Sequence, residues 1–184
     1  MKIETQHIPQ QGLVIRRRIE ASEFETLNRL MTNKQADFSG TIDIDVSVVP
    51  LRDLIQVEGH VRTRVRLECS RCIESFEAPL HRRFALSYSR KIPEDLHQNK
   101  SDGIELTAQQ IGLVHYKGDE IDLRDALAEQ VVLALPFKPL CDEACKGLCP
   151  GCGANLNREA CRCDTKAVAG PFDALKNLKL PMGD

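Results

Sequence analysis

The sequence predicts an α+β protein, in which one core helix packs on an antiparallel β-sheet and a cysteine-rich tail follows. Three observations support this fold class. Segments of alternating apolar and polar residues fill much of 41–90, and one strongly apolar helical segment spans 122–135. Six of the eight cysteines come after residue 140 and mark the tail. Neighbouring strands that alternate in this way favour an antiparallel sheet with one buried face.

The first two elements are predicted to be a strand and a helix. Residues 12–22 (GLVIRRRIEAS) predict a short strand with a basic stretch. Residues 22–31 predict a helix, because Ser22 and Glu25 have the spacing of a capping box and the apolar residues recur at helical spacing. The apolar stripe of this helix consists of Phe24, Leu27, Leu30 and Met31.

Three alternating segments then predict the sheet. In 41–50 apolar residues alternate with acidic and hydroxyl residues, and in 54–70 many of the polar positions are basic. Segment 75–90 predicts the antiparallel partner of 54–70. The residues between these two segments form a short turn, so Cys69 and Cys72 are predicted at the tip of a hairpin.

A long apolar helix is predicted after a polar loop at 91–103. Within 122–135, Asp122 is a candidate N-cap and Pro136 ends the helical pattern. The stripe expected to pack across the sheet consists of Leu123, Leu127, Val131 and Leu135. We therefore predict an α+β domain over 1–140.

The remainder, 141–184, is predicted to be a cysteine-rich zinc-binding tail with a C-terminal helix packed on it. The zinc prediction follows from the spacing of the cysteines, described below. The apolar face of the C-terminal helix consists of Phe172, Leu175 and Leu178.

Composition limits the class of protein. The 184 residues, 42% of them hydrophobic, suit one globular domain with a small appendage. A formal net charge of −2 argues against a protein that coats nucleic acid, so any contact with nucleic acid must come from a local patch. The N-terminal segment lacks a signal-peptide core, and no stretch reaches the roughly 18–20 apolar residues of a membrane span. We expect a cytoplasmic protein with no membrane partner.

The eight cysteines form four close pairs. In a reducing cytosol such pairs are typical of metal ligands rather than disulfides, and two pairs supply the four thiolates of tetrahedral zinc. We predict one or two zinc ions; four disulfides are the alternative for an exported protein. The pairs are Cys69 with Cys72, Cys141 with Cys145, Cys149 with Cys152, and Cys161 with Cys163.

The pairs can combine in two ways. In the favoured one, the last two pairs form a small zinc hairpin, while the hairpin tip meets the pair that follows the core helix. A helix running back along the sheet would bring these two pairs together and fasten the tail to the sheet. In the other, residues 141, 145, 149 and 152 share one metal and residues 69, 72, 161 and 163 share the second.

The cysteine sites are predicted to be structural rather than catalytic. Closed four-cysteine zinc sites contribute folding free energy, whereas a catalytic zinc keeps an open position. The five histidines are scattered, and no phosphate-binding loop, nucleophile elbow or metalloprotease motif is present. A thiol redox centre at ECSRC (68–72) is a weaker interpretation, because a strand rather than a helix is predicted after it. We therefore expect no enzyme activity and no small-molecule substrate.

Arginines in the predicted hairpin are candidate RNA-binding residues. Those at alternate positions share one exposed face and can contact phosphates. The alternative is a solvated face that prevents edge-to-edge aggregation, and Asp43 and Asp45 on the neighbouring strand can pair with these arginines. The candidate RNA-binding residues are Arg62, Arg64, Arg66, Arg71, Arg82 and Arg83.

Two blocks of the chain resemble a known family. VEGHVRTRVRLECSRCIESFEAPL (57–80) and LAEQVVLALPFKPLCDEACKGLCPGCGANLN (127–157), followed by C-x-C, resemble the bacterial YceD family, the large ribosomal RNA subunit accumulation proteins. The resemblance covers roughly residues 10–180. Some members have the first cysteine pair and the helix but lack the GLCPGCG…CRC extension. This implies that the first two pairs belong together and that the last two form a separate module.

The resemblance implies a role in large-subunit ribosome biogenesis that supports accumulation of 23S ribosomal RNA, with no catalytic residues to transfer. The expected partner is ribosomal RNA or a large-subunit assembly protein. The alternative function is a zinc-stabilised protein-interaction adaptor that docks through the tail and apolar residues such as Phe137 and Leu140. A thiol redox protein is the third.

Overall fold

The fold is α+β, as predicted, with a five-stranded sheet, a two-stranded sheet and two α-helices in the part that the structure describes. A computed structural model describes residues 1–38, 40–90 and 113–163. The large sheet has the order β2-β3-β4-β5-β6, and β1 pairs with β7. The elements are β1 (Lys2–Glu4), β2 (Leu13–Glu20), α1 (Glu25–Thr32), β3 (Thr41–Leu51), β4 (Leu54–Glu68), β5 (Ser75–Ser89), β6 (Leu113–His115), β7 (Glu120–Asp122) and α2 (Arg124–Val132).

Strands β3, β4 and β5 form the centre of the sheet, as the alternation predicts. A two-residue turn joins β3 to β4, with Arg52 in the left-handed region (φ 54°). All 15 residues of β4 pair with β5, from Leu54 opposite Ser89 to Glu68 opposite Ser75. Odd-numbered residues of β4 such as Val57, Val61 and Val65 are buried. We call the side of the sheet that they occupy the inner face and the opposite side the outer face.

Gly59 permits a close approach of β3 and β4 on the inner face. A Cβ atom at this position would lie 2.3 Å from the carbonyl oxygen of Asp45 and 2.8 Å from the Cα of Val46. Both obstacles are backbone atoms, so a rotamer change cannot relieve the clash. The glycine therefore fixes the spacing of the strands next to His60 and Arg62 on the outer face.

Both α-helices pack on the inner side and close the core. Helix α2 contacts β4, β5 and α1. Three of the four residues of the predicted stripe, Leu123, Leu127 and Val131, are buried. The fourth, Leu135, lies beyond the end of the helix and is half-buried against the core. Helix α2 ends at Val132, earlier than predicted, and turns with i to i−3 hydrogen bonds follow it before Pro136.

The start of each helix differs from the sequence prediction. The capping box in the first helix is wrong: Ser22 lies in a short 3-10 turn, and α1 begins at Glu25 with Phe24 at the N-cap and no side-chain cap. Asp122 is not the N-cap residue of α2, but its Oδ1 accepts a hydrogen bond from the first helical N–H, that of Arg124 (3.0 Å). Hydrogen bonding to the Arg124 guanidinium holds the pKa of Asp122 well below its usual range.

Several short elements had no sequence prediction. Strand β6 pairs in parallel with the end of β5, which makes the large sheet mixed, and β1 pairs with β7 just before α2. The loop predicted at 91–103 and the C-terminal helix that carries Phe172 lie outside the described residues. Among the described helices, none has the length and apolar character needed to cross a membrane.

Replacing Gly59 by alanine is expected to destabilise the sheet by about 2–3 kcal/mol, because the new methyl group overpacks against the β3 backbone. Urea denaturation of the purified protein measures the change. Ser47→Ala, on the adjacent strand, is the control and should alter the unfolding free energy by less than about 0.5 kcal/mol. Equal stability of Gly59→Ala and the parent protein would contradict the close approach of β3 and β4.

Candidate metal centres and outer arginine face

The first cysteine cluster joins the β4–β5 hairpin tip to the tail. Cys69 and Cys72 lie in the turn after β4, where the N–H of Cys69 donates to Glu74 O (2.9 Å) and the N–H of Ile73 donates to Cys69 O (2.9 Å). The remaining members, Cys141 and Cys145, follow α2 in the tail. The four sulfurs lie within 4.8 Å of one another, so two distant parts of the chain form one site.

The sulfur separations in the first cluster fit a single tetrahedral metal. The sulfurs of Cys69 and Cys145 are 3.8 Å apart, and those of Cys72 and Cys141 are 3.7 Å apart. Four sulfurs at about 2.3 Å from one zinc ion lie about 3.8 Å from each other, whereas a disulfide needs about 2.05 Å. The thiols are also free rather than bonded in pairs.

Backbone N–H groups in this cluster favour the thiolate form that metals require. The N–H of Cys141, followed by those of Arg71 and Cys72, lowers the pKa of the Cys69 thiol to about 6. Loss of solvation and the neighbouring sulfurs raise the pKa of Cys141 to about 12. Four thiols this close together cannot all be deprotonated unless a cation neutralises their charge, which a bound metal ion would do.

The second cluster also consists of four neighbouring cysteine sulfurs, all of them from the tail. Cys149, Cys152, Cys161 and Cys163 have sulfurs within 4.8 Å of one another. The separation is 3.5 Å between Cys152 and Cys161 and 3.3 Å between Cys149 and Cys161. The N–H groups of Cys152 and Gly151 lower the pKa of Cys149 to about 6. Hydrogen bonding to neighbouring thiols raises that of Cys163 to about 12.

The two clusters match the first of the two combinations predicted from the sequence. The alternative grouping is not observed, since Cys149 and Cys152 face Cys161 and Cys163. Among the described residues these are the only groups of three or more potential ligands of this kind. Four soft thiolate donors in a tetrahedral arrangement suit zinc or iron. Both clusters therefore fit a metal ion.

Arg71 forms hydrogen bonds to the tail and does not lie with the other arginines. Its Nη1 donates to the carbonyl oxygens of Glu143 (2.9 Å) and Cys145 (2.8 Å). Its own carbonyl accepts from the N–H of Leu148 (3.1 Å). These bonds reinforce the attachment that the first cluster makes.

Arg82 lies on the inner side of the sheet, opposite Val61. Its Nε donates to Gln130 Oε1 of α2 (3.0 Å). Arg83, the next residue, points to the outer face because side chains alternate along a strand. The structure therefore separates two candidates that are adjacent in the sequence.

The outer face carries Arg62, Arg64, Arg66 and Arg83, but acidic residues engage part of this set. Arg66 is 3.1 Å from Glu77 and 3.7 Å from Asp37, and Arg64 is 3.9 Å from Glu77.

The two aspartates of β3 pair with arginines of β2 rather than with those of the hairpin. Asp45 is 3.1 Å from Arg16, and Asp43 is 2.6 Å from Arg18. These two ion pairs on the outer face had no sequence prediction, because they depend on β2 lying next to β3.

Arg62 and Arg83 are exposed and have no ion pair or side-chain hydrogen bond within the described parts of the chain. His81 lies opposite Arg62, and His60 lies opposite Arg83. The two imidazole rings contact each other edge to face, with centroids 5.7 Å apart. We call these four residues the basic block. Its two histidines had no sequence prediction, and the hairpin register brings them next to the arginines.

The fold and the clusters define a class of protein: an α+β domain with a long hairpin whose tip and cysteine-rich tail form a site suited to a metal. A family model described as "Large ribosomal RNA subunit accumulation protein YceD" matches residues 57–179. The matched region begins in β4 and includes the hairpin, α2 and all eight cysteines. The chain belongs to this family, as its resemblance predicts.

Two plant relatives carry the same family name, and a bacterial relative is uncharacterised. The chain is 26% identical over 158 residues to a chloroplastic YCED homolog 1 of Arabidopsis thaliana, covering 77% of this chain and 49% of the relative. It is 28% identical over 146 residues to the corresponding Zea mays protein (69% and 50%) and 27% identical over 124 residues to an uncharacterised Mycobacterium leprae protein (65% and 51%). The chain thus spans about half the length of the curated relatives it matches. No solved structure matches it.

Removing the Arg71 side chain is expected to loosen the tail. Arg71→Ala deletes two hydrogen bonds from a charged donor, which together stabilise the attachment by about 1–2 kcal/mol. Tryptic cleavage after Lys146 should then be at least about fivefold faster. The exposed Arg64, replaced by alanine, is the control and should leave this rate unchanged. Identical cleavage rates for both variants would contradict the role of Arg71.

Proposed function

We propose that the protein is a non-enzymatic factor in large-subunit ribosome biogenesis that acts in the cytoplasm and supports accumulation of 23S ribosomal RNA by binding it. Membership of a family named for large ribosomal RNA subunit accumulation supports the biogenesis role. Burial of Cys69 and Cys72 supports a structural rather than a redox role for the hairpin tip, because a reactive thiol needs access to its substrate.

The basic block is the observation that carries RNA binding. Arg62 and Arg83 lie diagonally across β4 and β5, about 7–8 Å apart at the backbone. Since neither is held by a carboxylate, both guanidinium groups can donate to a phosphate without breaking an ion pair. Arg62 and His60 also line a shallow depression with Arg16 and Arg18 of β2, whose charges Asp43 and Asp45 partly offset.

Backbone recognition is favoured over base recognition. Aromatic residues make up 4% of the chain, and the aromatic residues of β5 (Phe76, Phe84 and Tyr88) point to the inner face. Stacking of bases on this surface therefore has little support, whereas phosphate contacts from arginine need no aromatic platform. Of the six candidates from the sequence, Arg62 and Arg83 form the proposed contact with Arg64 beside them, while Arg66, Arg71 and Arg82 are engaged elsewhere.

The two cysteine clusters are proposed to hold one zinc ion each. Mononuclear sites are favoured over iron–sulfur clusters, because all four sulfurs of each group lie within 4.8 Å of one another, whereas cysteines bound to different irons of a cluster lie farther apart. When bound, zinc supplies charge neutralisation and cross-linking of the four thiolates. The first site fastens the tail to the hairpin, and the second folds the tail upon itself.

Native mass spectrometry of protein purified without chelator should find two zinc ions per chain. Cys72→Ser and Cys161→Ser should each retain one, because each removes a ligand from a different cluster. Chelation should release both ions and expose the tail to protease. One zinc ion in the parent protein, or two zinc ions retained in either variant, would contradict the assignment.

Removal of the two unpaired arginines should weaken RNA binding. Arg62→Gln with Arg83→Gln is expected to lower the affinity for a fluorescent 23S ribosomal RNA fragment on the order of tenfold in low salt. It should also reduce the slope of log affinity against log salt by about 1 for each arginine, because one fewer counterion is released on binding for each phosphate contact that is lost. Fluorescence anisotropy at several salt concentrations measures both.

The matched control is Arg29→Gln with Arg158→Gln, which makes the same change in net charge away from the basic block. These arginines are paired with Glu25 and Glu74, so the salt slope should stay at the parent value. If both double variants lose the same slope, the effect reflects overall charge and the contact is not at the basic block.

A protein-interaction adaptor is the second candidate, and Phe137 favours it. Its side chain is fully exposed (106% relative accessibility) just beyond α2, near the exposed Leu133. Leu140, in contrast, packs against the first cysteine cluster and is not free to dock. Association with a large-subunit assembly protein that survives high salt and is lost in Phe137→Ser would support the adaptor over RNA binding.

A further inference from the structure

Asn157 lies in the second cysteine module but contacts the first cluster. It belongs to the segment between Cys152 and Cys161. Its Nδ2 donates to the sulfur of Cys145 (3.3 Å), which is a member of the first cluster. Its Oδ1 accepts from the N–H of Lys146 (2.7 Å), the residue that follows that cysteine. One amide therefore bonds both to a candidate ligand and to the backbone beside it.

The surrounding backbone holds Asn157 in place. The N–H of Leu156 donates to Gly147 O (2.9 Å), and Leu148 forms a β-bridge with Asn155. The Asn155 side chain, in turn, accepts from the Asn157 backbone N–H (3.0 Å) and from its Nδ2 (2.9 Å). These bonds orient the side-chain amide of Asn157. The Asn155–Asn157 segment lies between Cys152 and Cys161, so the second cluster joins the two ends of the loop that contains it.

The module also docks on the hairpin tip. Arg158 Nη2 is 2.9 Å from Glu74 Oε1, on the turn that carries Cys69 and Cys72. This ion pair is exposed and contributes little by itself. It provides a comparison for Asn157, because it links the same two parts of the chain without contacting a sulfur.

We propose that Asn157 is a positioning residue that couples the two metal sites, so that a metal bound at either site raises the affinity of the other. A metal in the second cluster fixes the loop that carries Asn157 and so orients its N–H toward Cys145. A hydrogen bond to a ligating sulfur stabilises the thiolate, and loss of such a partner typically lowers metal affinity by 10–100-fold. Coupling of this kind acts equally in both directions.

The test is a double-mutant cycle in the full chain, and it rests on the proposed pair of zinc sites. The second cluster is disabled by Cys161→Ser with Cys163→Ser, and Asn157→Ala is made with and without that change. The affinity of the first site for zinc is measured by competition with a chromophoric chelator. Cobalt substitution reports its four-sulfur coordination by absorption.

With the second site intact, Asn157→Ala should weaken zinc binding at the first site by about 10–100-fold. In the disabled background the same substitution should have less than about a threefold effect, because the loop no longer holds the amide in place. Asn157→Asp, which keeps the shape but loses the donor, should weaken binding at least as much as alanine. Arg158→Ala should leave the first site within about threefold of the parent.

Two results would overturn the coupling: no loss of affinity in Asn157→Ala, or an equal loss in both backgrounds. The second would make Asn157 a local partner of Cys145 and nothing more. Fewer than two metal ions in the parent protein would refute the zinc assignment itself and the coupling with it. That result is obtained before any variant is made.

Discussion

The register of the β4–β5 hairpin is the constraint on which the other features depend. All 15 residues of β4 are paired, and side chains alternate between the two faces at every step. A slip of one residue would turn Val61 outward and Arg62 into the core. Burial of apolar residues on the inner face therefore fixes two further things at once: the arginines presented outside and the position of Cys69 at the tip.

The outer face is not a uniformly positive surface. Two aspartates of β3 pair with arginines of the edge strand β2, and Asp37 and Glu77 pair with arginines near the hairpin tip. Arg62 and Arg83 remain unpaired on β4 and β5. The tail is attached in a different way, through sulfurs and backbone hydrogen bonds at the hairpin tip. The basic block lies midway along the hairpin and the first cysteine cluster lies at its tip, so substitutions can address each of them without disturbing the other.

Periodicity and spacing predicted the central strands and the core helix and favoured the observed grouping of the cysteines, because each of these follows from local pattern or chain reach. They did not predict which arginines are free. Asp43 pairs with Arg18, a contact that requires knowing that β2 lies beside β3. Side chains alternate along a strand, so Arg82 and Arg83 must lie on opposite faces. The sequence alone was therefore sufficient to separate these two candidates. Ser22 has the spacing of a cap, but Phe24 occupies the N-cap, since a 3-10 turn precedes the helix.

The length of the hairpin determines whether a ligand bound at the basic block can also contact the tail. Cys69 lies seven positions after Arg62, which corresponds to about 24 Å along an extended strand. A ligand that touches only the basic block therefore stays clear of the cysteine module. A polymer that follows β4 toward the turn, in contrast, meets that module at its far end. The tip holds the attached part of the tail at a fixed distance from the basic block, so a partner that contacts both must span about 24 Å.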